Sequence, residues 1–202
     1  KLDPVSVYQK FRDAIGLDID RFLKTSVIED EYFRKIQTKI VLSNRDFVRK
    51  IEAYIGEPIV SIGSGISGDV DQVSDSIITI AEAISRIKGR SFWMVMGGET
   101  TVNVRGKGIG GRNLEISLLF LKKCRFSDFL FISIGTDGID GVSPAAGGIV
   151  DSSLKKRISE EEIDEALKNS DSYTLLSKYG SAIMTGRTGN NVSDLMIAYV
   201  SI

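Results

Sequence analysis

The chain has 202 residues, 42% hydrophobic and 26% charged, with a formal net charge of −1. That balance fits an ordinary globular protein, and no global basic field favours a nucleic acid. With no histidine and a single cysteine, Cys124, a Ser-His-Asp or Cys-His triad, a His- or Cys-rich zinc site and an internal disulfide are all excluded. Carboxylate, Lys, Arg, hydroxyl and backbone amide remain, the groups that position charged phosphates.

No apolar run approaches a membrane span and no signal peptide is recognisable, so a cytoplasmic protein without membrane or nucleic-acid partners is expected. The lone cysteine suits a reducing interior, and Cys124 reads as a packing residue. The polar lead at Lys1 suggests a piece of a longer protein.

In chain order, residues 4–15 read as a helix with Pro4 in its first turn and Val7, Tyr8, Phe11 and Ile15 on one face. Residues 20–35 are charged and weakly periodic, open between helix and connector. A short strand is expected over 39–43, followed by a helix capped by Ser43 or Asn44 with a stripe of Phe47, Val48, Ile51 and Ile55. Gly56 and Pro58 punctuate before a second strand at 59–63. A helix over 75–87 ends at Gly89, and a third strand covers 91–96. This alternation predicts parallel strands with crossover helices. Beyond it, residues 100–104 read as a half-exposed strand and 113–123 as a helix with Leu114, Leu118 and Leu121 on one face. Strands at 129–135, 181–186 and 194–201 and a helix near 159–169 complete the pattern. The fold class expected is α/β, a parallel-strand Rossmann-like remnant over 1–90 followed by a mixed α/β domain over 91–202.

Four stretches carry candidate chemistry. In "GGETTVNVRGKGIGGRNLE" (97–115), Gly97 to Thr100 read as the turn after a core strand. Gly106, Gly108, Gly110 and Gly111 then leave the backbone open to a ligand. Gly110 to Asn113 open a helix whose N-terminus, with Arg105, Lys107 and Arg112 nearby, suits a phosphate or carboxylate. A hairpin loop with solvated basic residues explains the same stretch equally well. In "GTDGIDG" (135–141), Asp137 and Asp140 can hold hydrated magnesium or take a hydroxyl proton, although Asp-Gly is also a common turn pair. "GSGISG" (63–68) matches G-x-G-x-x-G, yet the acidic residue expected about 20 positions on is absent; Glu99 lies 31 residues past Gly68. Turn chemistry accounts for Gly186, Gly189 and Asn191 in "TGRTGNNVSDL" (185–195) as well as ligand contact does.

Taken in order, "GGETTVNVRGKGIGGRNLE", "GTDGIDG…AAGGIVD", "NSDSY" and "TGRTGNNVSDL" resemble the MOFRL domain of bacterial and archaeal glycerate 2-kinases, from about residue 91 to the end. Residues 1–90 are similar to the closing part of that family's first domain, with "LSNRD" as the marker. The resemblance implies ATP-dependent phosphorylation of D-glycerate at its 2-hydroxyl, with Mg2+, in a cleft between two α/β domains. It implies catalytic roles for Arg112 and Asp137 and metal ligation by Asp137 and Asp140. Substrate or nucleotide contacts are implied for Gly97, Gly98, Glu99, Thr100, Lys107, Gly110, Gly111, Asn113, Thr136, Asp140 and Asn191. The implied partners are glycerate, ATP, the N-terminal half of the same protein and, in a homodimer, a second copy. Pro144, Ser170, Arg187 and Asn190 depart from the family's usual residues. The family's early lysine motif and Ser-Gly-rich phosphate loop have no counterpart, so this chain alone is expected to be inactive. Two other readings stand beside the kinase: an NAD(P)H-dependent hydroxypyruvate reductase, and a non-catalytic binding module.

Overall fold

The structure, a computed structural model, describes residues 37, 39–56 and 58–201. The expected helix at 4–15 and the charged stretch at 20–35 lie outside the described residues. Val41–Ile202 forms one compact unit. The division expected near residue 90 falls within it, between a helix and the next strand.

Residues 39–43 are not a strand. Ile40 and Val41 are 77% and 88% exposed, and an isolated extended segment buries too little to be held. Ser43 instead starts helix α1 (Asn44–Ile55) through a capping box. Its hydroxyl accepts from the Asp46 N–H at 3.3 Å, and the Asp46 carboxylate accepts from the Ser43 N–H at 3.0 Å. The predicted apolar stripe of α1 packs on one face of the sheet, with Val48 against Val95 and Leu195.

Strand β1 runs from Ile59 to Asp69, well past the expected end. "GSGISG" is therefore a bulged strand and not a loop feeding a helix. Gly63 and Gly65 adopt φ of +97° each, a region that side chains disfavour. The register against the next strand slips between Ser61 and Gly63 and again between Ser64 and Ile66. Asp69 then accepts from the Asp71 N–H at 2.9 Å and caps α2 (Val70–Lys88), which ends at the left-handed Gly89.

Strand β2 covers Phe92–Thr101, so Gly97 to Thr100 are strand and not the expected turn. After a loop come α3 (Arg112–Lys123), β3 (Asp128–Gly135), β4 (Gly147–Asp151), α4 (Ser152–Lys155), α5 (Glu160–Asn169), α6 (Ser172–Lys178), β5 (Ala182–Ile183) and β6 (Asp194–Ser201). The expected strands at 100–104 and 181–186 shrink to Thr100–Thr101 and Ala182–Ile183.

The α/β class holds, with a mixed six-stranded sheet in the order β1-β2-β6-β3-β4-β5. Among the described residues only β1 and β2 pair in parallel, and every other pairing is antiparallel. The parallel expectation fails beyond β2 because the last strand, β6, inserts between β2 and β3. The main core lies between the sheet and the helical layer that includes α2, α3, α5 and α6. Phe120 of α3 stacks on Phe131 of β3 at 4.2 Å and meets Phe129 edge-on at 5.8 Å. Cys124 is fully buried here, and burial pushes its thiol up. Among the described residues no helix is long and apolar enough to cross a membrane.

Candidate functional site

The glycine-rich loop between β2 and α3 is fastened to the turn joining α5 to α6. The Gly108 N–H donates to the Asn169 carbonyl at 3.0 Å, and the Tyr173 N–H donates to the Ile109 carbonyl at 2.9 Å. Side chains add to this: the Arg105 N–H donates to the Ser170 hydroxyl and the Ile109 N–H to the Asp171 carboxylate. A Cβ on Gly106 would strike Asn169, and one on Gly108 would strike Asp171. These glycines admit a neighbouring segment in place of a hairpin partner, and Gly108 also lines the cavity described below.

Helix α3 begins at Arg112 as expected, but its first amides do not face an open ligand site. The Asp140 carboxylate accepts from the Leu114 N–H at 2.8 Å, the Asn113 N–H at 3.1 Å and the Asn113 amide at 3.2 Å. A buried carboxylate of the chain thus occupies the position proposed for the anion. Gly111 is glycine because a Cβ there would collide with Asp140. Asn113 does not cap the helix; its side-chain carbonyl accepts from Ser133 at 2.6 Å. Burial pushes the Asp140 carboxyl up to about 6 despite these donors.

On the other side of the helix start, Arg112 forks onto Asp194. Its Nε donates to Oδ2 at 2.6 Å and its Nη2 to Oδ1 at 2.9 Å. Asp194 is 1% exposed and the Arg112 side chain 30%. Glu99 approaches the same guanidinium at 3.4 Å. The hydrogen bonds to Asp194 hold the guanidinium above its ordinary pKa, against the cost of burial.

Arg112 opens into a cavity of about 590 Å³ between the end of β2, the glycine-rich loop and Gly141–Val142. Of the residues proposed from sequence, Glu99, Thr100, Lys107, Gly110, Gly111 and Arg112 line it. Gly97 and Gly98 do not, and their lack of a side chain has another cause. A Cβ on Gly97 would strike Asn44, and one on Gly98 the Ile66 backbone.

Thr136, Asp137, Asp140 and Asn191 also lie outside the cavity lining. The Thr136 hydroxyl donates to the Ser193 carbonyl at 2.7 Å and accepts from the Val192 N–H at 2.8 Å. Asp137 accepts from the Ile139 N–H and Asn191 from the Ser193 N–H, two short-range turns. Among the described residues no group of three or more acidic or thiol side chains is arranged to hold a metal ion. Of the Asp137–Asp140 pair expected from sequence to hold magnesium, Asp140 already accepts from the amides of α3.

Two residues escaped the sequence reading. Asp194 sits at the head of an otherwise apolar strand, a signal that a buried charge needs a partner. Glu115 lies three positions after Arg112 and is 8% exposed; it lines this cavity and a second one with Asp69, Asp71 and Arg105, and its carboxylate accepts no hydrogen bond from the described residues. Burial pushes its carboxyl up to about 7, against the pull of Arg105. Its position among Leu114, Ile116 and Leu118 was the available clue, because a charged residue inside a buried helix segment is rarely incidental.

Similar proteins match these elements. Residues 92–194 match the model of the MOFRL family. A glycerate 2-kinase of Picrophilus torridus is 48% identical over 171 residues, covering 84% of this chain and 40% of that protein. One from Pyrococcus horikoshii is 32% identical over 212 residues, covering 99% of this chain and 48% of that protein. The crystal structure of a glycerate kinase from Thermotoga maritima superposes with a TM-score of 0.71 at 29% identity, covering 94% of this chain and 50% of that one. The chain thus spans about half the length, or less, of the curated relatives it matches. The family match runs from the first residue of β2 to the first of β6, bringing in the glycine-rich loop, Arg112, Asp140 and Asp194, and the chain belongs to the MOFRL family.

Proposed function

We propose that this chain supplies part of the substrate cleft of an ATP-dependent glycerate 2-kinase, which transfers a phosphoryl group to the 2-hydroxyl of D-glycerate. The observation that carries the reading is Arg112, fixed by Asp194 at the wall of the 590 Å³ cavity. The names of the relatives support the reaction. In this proposal residues 91–202 are the MOFRL domain and residues 1–90 the closing part of the domain before it, in a cytoplasmic enzyme.

Charge selects which substrate the cavity receives. Arg112 and Lys107 supply two cations, and Asp194 at 2.6 Å and Glu99 at 3.4 Å from Arg112 offset much of their field. That suits a monoanion such as the glycerate carboxylate better than a triphosphate, which needs several cations and free amides. The nucleotide phosphates are therefore assigned to the part of the longer protein that precedes this chain in its relatives. Magnesium would accompany the nucleoside triphosphate, and among the described residues no group of three or more acidic or thiol side chains is gathered to hold it.

The reductase reading loses its sequence support, because "GSGISG" is a bulged strand. A coupled assay for ADP with D-glycerate and ATP tests the kinase reading on the complete gene product that carries this chain. Glycerate-dependent ADP release with 2-phosphoglycerate in the product is expected. ADP release indifferent to glycerate, or NADH consumption with hydroxypyruvate in its place, would defeat it.

A further inference from the structure

The chain bends sharply just ahead of Asp194, and the bend is held from two sides. Ser193 has a φ of +66°, a left-handed conformation that a residue with a side chain adopts only when its surroundings impose it. Thr136, next after β3, takes one side. Its N–H donates to the Ser193 carbonyl at 3.2 Å, and its hydroxyl bridges that carbonyl and the Val192 N–H. Asn44, the first residue of α1, takes the other. Its Nδ2 donates to the Val192 carbonyl at 2.7 Å and to the Asp194 carbonyl at 3.0 Å, so one amide group spans the strained residue.

Space and polarity are fitted to this contact. The capping box of Ser43 and Asp46 fixes the start of α1, and Gly97 makes room, since a Cβ there would strike the Asn44 side chain. Asn44 Oδ1 is buried and accepts from no described residue. Turned over, the amide would set that oxygen against two carbonyl oxygens, so the two acceptors dictate its orientation. A dry, unpaired acceptor lowers stability. What Asn44 contributes therefore lies on its nitrogen, at the bend that leads into Asp194.

We propose that Asn44 is a positioning residue, which holds the bend ahead of Asp194 so that this carboxylate aims Arg112 at the substrate; this rests on the glycerate kinase reading. Asn44 does not line the cavity. It acts through hydrogen bonds in series, from its amide to the backbone of Asp194 and from the Asp194 carboxylate to the guanidinium. Without the amide the two carbonyls lose this donor, Ser193 is free to leave the left-handed region, and the carboxylate on the next residue turns with it. The Arg112 fork needs both Asp194 oxygens at once, so a small rotation of that carboxylate breaks it.

The test compares wild type, Asn44→Ala and Asn44→Asp in the complete gene product, each alone and combined with Arg112→Ala. Asn44→Asp keeps the shape without a donor and Asn44→Ala removes the side chain, so a folding failure in one leaves the other readable by thermal melts and kinetics. In either variant KM for D-glycerate is expected to rise about tenfold, with KM for ATP within about twofold of wild type. In the Arg112→Ala background the same changes should move KM for glycerate by less than about twofold, because the residue they act through is gone. A readout independent of turnover is the exchange of the Arg112 Nε–H with solvent, followed in proton–nitrogen spectra and assigned by its loss in Arg112→Ala. Losing Asn44 should speed that exchange about tenfold or more. Unchanged exchange overturns the proposal, as does an equal rise of KM with and without Arg112, which marks a purely structural role. A wild-type protein that forms no glycerate-dependent ADP overturns the kinase reading instead, and the exchange rate then decides by itself whether Asn44 holds the Arg112–Asp194 pair.

Discussion

Arg112 and Asp194, 82 positions apart in sequence, meet through two hydrogen bonds of 2.6 and 2.9 Å that join the first residue of α3 to the first of β6. Asp194 also stands opposite Gly98 in β2 and Gly135 in β3. One buried carboxylate therefore ties the central strands to the helix that walls the cavity. Removing one member of such a pair leaves the other desolvated and uncompensated, which costs roughly 3–5 kcal/mol. The guanidinium keeps 30% of its exposure, so the low end of that range is expected for Asp194→Asn. Urea denaturation measures it. A double variant, Arg112→Met with Asp194→Leu, should lose less than the two single changes added together; simple additivity would show that the pair is not coupled.

Gly111 lies against Asp140 without room for a methyl group. Gly111→Ala must displace either the carboxylate that caps α3 or the backbone that carries it. A cost of about 1–3 kcal/mol is expected, as for other overpacked sites. The same change at Gly189, where φ is +76° and nothing lies within 4 Å of the added atom, brings only backbone strain, on the order of 1 kcal/mol. Chemical denaturation of both variants separates the two causes. An equal cost would mean that Asp140 yields freely.

Local signals in the sequence carried most of the helices and few of the pairings. Ser43, Gly56 and Gly89 bound their helices as capping chemistry predicts, and the stripe of Phe47, Val48, Ile51 and Ile55 packs where its period places it. The insertion of β6 between β2 and β3 depends on pairs such as Phe92 with Val200 and Phe129 with Val200, far apart in the chain, which no local pattern encodes. Glycine was the hardest residue to read. Gly106, Gly108 and Gly111 read as openings for a ligand and Gly97 and Gly98 as a turn; they lie against Asn169, Asp171, Asp140, Asn44 and Ile66, while Gly108 and Gly111 also line the cavity. Close approach is visible in a sequence, but what approaches is not. Arg112 and Lys107, singled out by their charge beside the glycines, do line the cavity, whereas Glu115 looked like one more helix former.

Stability should depend on pH through Glu115. Burial raises its folded carboxyl from the ordinary 4.5 to about 7, so the folded state holds the proton more tightly than the unfolded one. Stability from this group is fully present below about pH 4.5 and is lost as pH rises through about 7. Asp140, raised from 3.8 to about 6, acts in the same sense at lower pH. Glu115→Gln keeps a neutral side chain of the same shape and removes its share, up to about 3 kcal/mol. Melting temperatures at pH 5 and pH 8 should therefore differ less in Glu115→Gln than in wild type. An unchanged difference would mean that water reaches this carboxylate in solution.

Lys107 offers the cleanest separation of binding from folding. Its side chain lines the cavity, its residue is exposed, and no ion pair holds it among the described residues. Nothing in the core depends on it, so Lys107→Ala should shift stability by less than about 0.5 kcal/mol. If the cavity receives the glycerate carboxylate, losing one of its two cations weakens ground and transition states alike. KM for glycerate should then rise about tenfold, equivalent to about 1.4 kcal/mol, with kcat little changed. Added salt should shrink the gap between wild type and variant, because the lost interaction is an exposed one. A KM that shifts for ATP and not for glycerate would instead place the triphosphate, and not the hydroxy acid, beside Lys107.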